Sequence, residues 1–238
     1  MTRVPNLSKS RFQAGLQCHK RLWLECYRRQ LADPLSPERL ALFNAGHQFG
    51  ELARQHYGGG VLVAEGHRQS LAAQQTTARL LAEEVTCLYE GAFSYEGVLV
   101  RVDIVRKTGD DAWQLVEVKS STQLKPEHIT DAAIQTYVVR GAGLPVGEVQ
   151  LLHLNPESAY PDGPYEPDDL FVAEEITAQV EEYLPSIPAR LAEMKAMLVA
   201  DCPDIEVGDH CSRPYECFFW GHCHGVDSAA SSTQGRME

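Results

Sequence analysis

The chain has 238 residues and a mass of 26.4 kDa; 44% of its residues are apolar, 23% are charged, and its formal charge is −12. This globular composition has room for one large α/β domain, or for one domain and a small appendage, and it excludes wholesale disorder. The acidic balance excludes a protein that coats nucleic acid through clustered Lys and Arg, and the apolar run Gly97–Val105, interrupted by Arg101 and Asp103, falls far short of the ~20 residues of a membrane span.

In chain order, Ser8 or Ser10 can cap a short helix that buries Phe12, Leu16, Leu22 and Trp23. After Pro34 and Pro37 a longer helix is predicted, with Leu40, Phe43 and Leu52 packed and with Gly46, Gly50 and Ala53 allowing close backbone approach; it ends at Gly58-Gly59-Gly60. Val61–Ala64 reads as a short strand and Ser70–Tyr89 as an Ala-rich helix. Gly97–Arg106 and Ala112–Ser120 read as two strands of a hairpin turned at Thr108-Gly-Asp-Asp. A helix at Pro126–Gly141, a strand at Val149–Leu154 and a helical region at Ala173–Val199 broken by Pro185 and Pro188 complete the order. The expected fold is α/β, a mixed central sheet flanked by helices, with the first and last segments free to meet outside it. The expected division is an N-terminal helical segment at 1–35, a core at 36–200, a cysteine-bearing segment at 201–225 and a disordered tail at 226–238.

Residues 1–30 carry Arg3, Lys9, Arg11, Lys20, Arg21, Arg28 and Arg29 against Glu25 alone, whereas residues 156–206 hold thirteen acids against Arg190 and Lys195. The basic end is able to meet a polyanion, although solvated faces are the commoner fate of such runs. The first residues lack the apolar stretch and cleavage site of a secretory signal, so the expected location is the reducing cytoplasm, with no membrane partner. The seven cysteines therefore need a reason other than disulfides.

On the predicted hairpin, Val98, Val100, Val102 and Ile104 share one face, and Leu99, Arg101, Asp103 and Val105 the other; on the second strand Val116 and Val118 face one way and Leu115, Glu117 and Lys119 the other. Antiparallel pairing brings Asp103 near Glu117, with Lys119 one pleat further on. Two adjacent carboxylates repel unless a cation is shared. Oxygen ligands of this kind suit Mg²⁺ or Mn²⁺. Such an ion acidifies water and neutralises charge growing on a phosphorane, with Lys119 orienting the water or the phosphate. This is the outline of a phosphodiester hydrolysis site; for an isolated Glu-x-Lys triplet the commoner reading is a solvated strand face.

Asp103, then Glu117-Val118-Lys119 after a short turn, then a helix carrying Gln135, resembles the PD-(D/E)xK nuclease core in its RecB-like branch. One early cysteine, Cys18, and three late ones, Cys211-x₅-Cys217-x₅-Cys223, resemble the iron–sulfur members of that branch, including CRISPR-associated exonucleases and the nuclease domains of certain helicase–nucleases. The resemblance spans roughly residues 7–224. It implies a restriction-endonuclease-like fold, Asp103, Glu117 and the Val118 carbonyl as ligands of Mg²⁺ or Mn²⁺, Lys119 as the catalytic lysine, and Gln135 positioning substrate or water. It also implies that Cys18, Cys211, Cys217 and Cys223 hold a [4Fe–4S] cluster joining the N- and C-terminal segments.

Three departures stand out. Val102 replaces the proline that names the motif. The helix pattern Gly-x-x-x-His-Glu reads Gly46-His47-Gln48-Phe49-Gly50-Glu51 here, so Glu51 or His47 must supply the remaining ligand, and Glu51 is favoured because its oxygen suits Mg²⁺ better. Tyr137 follows Gln135 where a longer spacing is usual.

Thiolates from both ends close a site only if the termini meet, and either a cluster or Zn²⁺ rewards that. His210, His222 and His224 could complete a zinc set without Cys18; the x₅ spacings favour the cluster. Cys26, Cys87 and Cys202 read as small buried hydrophobes, and Phe218-Phe-Trp220 as a shield for the cluster. The expected activity is metal-dependent hydrolysis of DNA, by analogy an exonuclease on single-stranded ends, in repair, recombination or CRISPR-type processing with a helicase or similar partner. The alternatives are an inactive nucleic-acid-binding module and a zinc-stapled adaptor.

Overall fold

The structure, a computed structural model, describes residues 4–109, 112–158 and 167–226. Residues 227–238 of the expected tail, and Asp110 and Asp111 of the predicted turn, lie outside the described residues. The elements are β1 (Leu7–Ser8), α1 (Lys9–Gln17), α2 (His19–Tyr27), α3 (Pro37–Tyr57), β2 (Val61–Leu62), α4 (Ser70–Ala82), β3 (Cys87–Tyr95), β4 (Val98–Lys107), β5 (Trp113–Lys119), α5 (Pro126–Gly141), β6 (Val146–Leu154), β7 (Phe171–Glu175), α6 (Thr177–Tyr183), α7 (Ile187–Leu198) and α8 (Trp220–Cys223). They divide between two compact units, one of residues 6–9 and 37–187, the other of residues 4–5, 10–36 and 188–226.

The larger unit is built on a seven-stranded mixed sheet in the order β2-β3-β4-β5-β6-β7, with β1 paired to β4. Strands β3, β4 and β5 form an antiparallel meander, β5 and β6 run parallel across the α5 connection, and β7 returns antiparallel. The alternation in β4 works as its sequence predicts. Val98, Val100, Val102 and Ile104 are fully buried, whereas Leu99, Arg101 and Asp103 keep some solvent access. Ile104 and Val116 join Phe49, Ala53, Tyr89, Leu152, Leu170 and Phe171 in one apolar cluster. The opposite face of β5 is covered as well, since Leu115 and Glu117 are fully buried, and α5 packs over β3, β4, β5 and β6. Helix α5 begins as its sequence suggests, with Pro126 at its first position, where the missing N–H costs nothing. The ring of His128 there accepts the N–H of Lys125 at 3.2 Å.

Three expectations are corrected. Helix α4 stops at Ala82, and Glu84 takes a left-handed backbone (φ 58°); the residues beyond form β3, a central strand that the Ala-rich pattern concealed. Strand β7 (Phe171–Glu175) takes the start of the helical region expected from Ala173 onward. On α3, Leu40, Phe43 and Leu52 are exposed (46, 48 and 39%), and only Phe49 and Ala53 are buried. A Cβ at Gly46 would touch nothing, so no close helix approach is made there.

The smaller unit joins segments distant in sequence. The Tyr27 hydroxyl donates to Leu198 O (2.6 Å), the Trp23 indole to Ala200 O (3.1 Å) and Lys20 Nζ to Ile205 O (3.2 Å). Gln17 donates to both His210 O and Tyr215 O. Asp33 N–H donates to Phe218 O, and Asp33 Oδ2 accepts Gly221 N–H at 2.9 Å. Leu24, Cys217 and Phe219 form its apolar centre. Gly15 lets α1 pack closely here: a Cβ would stand 2.7 Å from the Met194 thioether, whose flexible end would have to shift.

Candidate active site and cysteine pocket

The candidate cleft lies where β4 and β5 part. Their ladder runs from Lys107↔Trp113 to Ile104↔Val116 and stops there; one step on, the same register sets Asp103 opposite Glu117. The Val118 N–H, freed from the ladder, donates to Asp103 Oδ2 at 2.8 Å. An extended residue sends its N–H and C=O to the same side, so the Val118 carbonyl leaves β5 toward Asp103.

Glu117 is fully buried and surrounded by donors. Its Oε1 lies 2.9 Å from Lys9 Nζ and 2.7 Å from Lys119 Nζ. Its Oε2 accepts the Gln135 amide and lies 3.3 Å from Lys9 Nζ. Lys119 is gripped on its other side by Asp131. The Gln135 amide nitrogen also donates to Asp131 O, at 3.0 Å. Both partners of that nitrogen are acceptors, which fixes the orientation of the amide. Its buried Oε1 is then left without a protein partner among the described residues.

The electrostatics follow from this packing. Burial and the neighbouring Glu117 charge push Asp103 up to about 7. Burial would raise Glu117 too, but the Lys119 and Lys9 ammonium groups and the Gln135 amide override it and hold that carboxyl well below the usual range. Burial disfavours a charged Lys119, yet Glu117 and Asp131 outweigh it and raise its pKa well above that of a free lysine. Glu117 and Asp131 thus favour the charged, hydrogen-bond-donating form of Lys119. Lys9 is also raised, with Glu117 and Asp131 prevailing over its burial. Burial and the Lys119 charge lower His128.

Of the residues singled out from sequence, the structure brings together Asp103, Glu117, Val118, Lys119 and Gln135. It does not bring Glu51 or His47 to them: both are exposed, and Glu51 faces Arg54 at 3.9 Å. Tyr137 points elsewhere, its hydroxyl donating to Glu96 at 2.8 Å. Three contributors escaped the sequence reading. Asp131 stands one helical turn before Gln135, a spacing that could have revealed it. Glu90 lies opposite Asp103 in the β3–β4 register, with a left-handed φ of 57°, and its charge raises Asp103 further. Lys9 reaches the cleft only because β1 pairs with β4, which no local pattern announces.

In the smaller unit, Cys18, Cys211, Cys217 and Cys223 line one cavity together with Lys20, Arg21, His210, Phe219 and Trp220. All seven cysteines are free thiols. Cys223 feels Cys211, Cys18 and Cys202, while Cys217 feels Cys223 and Cys18. Burial raises the Cys217 and Cys223 thiols, so their protons are held firmly. Phe219 is fully buried and Trp220 half-exposed, so only the first of these rings is enclosed. Among the described residues, no three His, Cys, Asp or Glu side chains are grouped so as to hold a metal ion, in the cleft or in this cavity.

No protein-family profile and no curated protein matches the chain. Among solved structures it is similar to LHK-Exo in complex with dAMP (15% identity over 82% of this chain and 91% of that one, TM-score 0.46). It is also similar to the alkaline exonuclease LHK-Exo from Laribacter hongkongensis in another structure (14%, 83% and 91%, TM-score 0.35) and to SSO0001 (14%, 84% and 80%, TM-score 0.34). Likenesses this distant do not assign an activity; that rests on the cleft. No described helix is long and apolar enough to cross a membrane.

Proposed function

We propose that the chain is a divalent-metal-dependent nuclease that hydrolyses DNA phosphodiester bonds. The observation that carries this reading is the convergence of Asp103, Glu117 and Lys119 where β4 and β5 part. A carboxyl pushed up to about 7 beside one held far down is a pair short of positive charge. Two carboxylates and a strand carbonyl are the hard oxygen donors that Mg²⁺ or Mn²⁺ prefers. A bound ion supplies positive charge against the pentacoordinate phosphate and acidifies water. Lys119, fixed by Asp131 and Glu117, presents a preorganised positive charge to a phosphate oxygen. Gln135, fully buried, acts through its amide nitrogen, which donates to Glu117 and to Asp131 O and so positions the carboxylate.

The cavity of the smaller unit supports a [4Fe–4S] cluster on Cys18, Cys211, Cys217 and Cys223. Four thiols lining one cavity are a donor set for it. Substrate ends that are single-stranded, and a helicase or other repair or CRISPR partner, fit the reading. Since neither Glu51 nor His47 reaches the acids, a second reading is a module that binds DNA without cutting it.

End-labelled single- and double-stranded DNA incubated with the purified chain and Mg²⁺ or Mn²⁺ separates the two. Cleavage that falls at least about a hundredfold in Asp103→Asn and Lys119→Ala supports the enzyme. Binding without cleavage of any DNA supports the module and overturns the nuclease reading.

A further inference from the structure

Lys9 enters the cleft from outside the acid hairpin. β1 runs parallel to β4, with Leu7 opposite Val98 and Ser8 opposite Leu99, and Leu7 N–H donates to Gly97 O at 2.9 Å. This anchors the backbone at Lys9, and the ammonium forks onto both oxygens of Glu117, at 2.9 and 3.3 Å. The Lys9 side chain is 25% exposed against 1% for Glu117, so it covers the carboxylate from the open side.

Each Glu117 oxygen already has two donors: Lys9 and Lys119 on Oε1, Gln135 and Lys9 on Oε2. A carboxylate accepts about four such contacts, so a divalent ion gains a Glu117 oxygen only if one donor yields. Lys119 is also held by Asp131, and Gln135 by Asp131 O. Among the described residues the Lys9 ammonium donates to Glu117 alone. It is therefore the donor free to leave.

The charges lead the same way. Asp103, Glu117, Asp131 and Glu90 in ionised form face the ammonium groups of Lys9 and Lys119 and the Arg101 guanidinium, which lies 3.8 Å from Glu90, leaving one negative charge. One divalent ion turns this to a single positive charge, which one phosphodiester neutralises; a second ion would leave a surplus confronting Lys9 at close range.

We propose that Lys9 is the resident cation of the acidic cleft, guarding Glu117 until a single divalent ion binds and then turning its ammonium to the substrate phosphate in place of a second ion. This rests on the nuclease reading and names a residue that the acid hairpin does not contain.

The test is Mn²⁺ titration of the chelator-treated full-length chain without DNA, followed by electron paramagnetic resonance, for the wild type, Lys9→Gln and Lys9→Arg. The expected result is one cleft ion in the wild type, and in Lys9→Gln either about tenfold tighter binding or a second ion, with kcat on a labelled oligonucleotide reduced at least about tenfold. Lys9→Arg keeps the wild-type Mn²⁺ affinity. Unchanged or weaker Mn²⁺ binding in a Lys9→Gln chain of native circular dichroism overturns the proposal. If that variant fails to fold, the wild type decides by NMR: the Lys9 ¹³Cε signal, assigned by its loss in Lys9→Arg, shifts on saturation with Mg²⁺, and an unmoved signal overturns the proposal. A wild type that binds Mn²⁺ normally but cuts no DNA removes the nuclease reading and leaves the displacement of Lys9 standing. A wild type that binds no Mn²⁺ removes both.

Discussion

The acid cleft and the cysteine pocket are built by opposite means. In the cleft, position follows from register: once Ile104 faces Val116, Asp103 must face Glu117, and the buried valines on the far side of β4 forbid a slip, because a one-residue shift would turn them outward. The pocket has no such ladder. Its cysteines come from residues 18 to 223, held by side chains such as Gln17, Lys20 and Trp23 donating to distant backbone carbonyls. A site fixed by a sheet keeps its shape when its ligands are changed, whereas a site closed by scattered side chains depends on what it encloses.

The largest effect should come from testing the first half of that contrast. Asp103→Asn and Glu117→Gln are expected to lower DNA cleavage by at least about a hundredfold while leaving circular dichroism and cooperative melting intact; a collapse of the fold in Asp103→Asn would show that the cleft is not held by register. The second half predicts the reverse for Cys18→Ala or Cys217→Ala. Protein purified anaerobically should be brown with about four iron atoms per chain, and either substitution should abolish the colour and open residues 10–36 to protease. Full protease resistance with no metal in the pocket would break the contrast.

A smaller effect sharpens the cleft itself. In chelator, the folded chain holds the Asp103 proton up to about 7, whereas an unfolded chain releases it near about 4. Between these values the folded state binds more protons, so stability falls as pH rises. Glu117 acts oppositely, since its depressed pKa gives stability that is present above its ordinary value and lost as the pH drops below it. Melting in EDTA between pH 5 and 8 should therefore show a decline that Asp103→Asn removes; a flat wild-type curve would contradict the half-buried, charge-crowded carboxyl. The smallest effect belongs to Glu51→Ala, expected to change stability by less than about 0.5 kcal/mol and cleavage by less than about twofold, because Glu51 faces solvent and Arg54.

What the sequence disclosed follows the same division. Period-two valines and a four-residue turn determine a hairpin locally, so Asp103, Glu117 and Lys119 could be placed from their spacing. Pro126 marked the start of α5 for the same reason. Strand β3 was hidden because Cys87–Tyr95 directly follows an Ala-rich helix and mixes small, polar and aromatic residues without alternation. Lys9 was hidden because its place depends on a two-residue strand pairing across about ninety positions, and Asp131 because its meaning depends on where α5 lies. Leu40 and Phe43 misled for a related reason: an apolar stripe states that a face wants cover, not that its own unit supplies it.

The most direct test of the central claim is an anomalous difference map from crystals of the full chain grown with Mn²⁺. The account predicts a peak between the Asp103 and Glu117 carboxylates, within reach of the Val118 carbonyl, with Lys119 still on Asp131. An empty cleft at saturating Mn²⁺, or a peak at Glu51 and His47 instead, would contradict it.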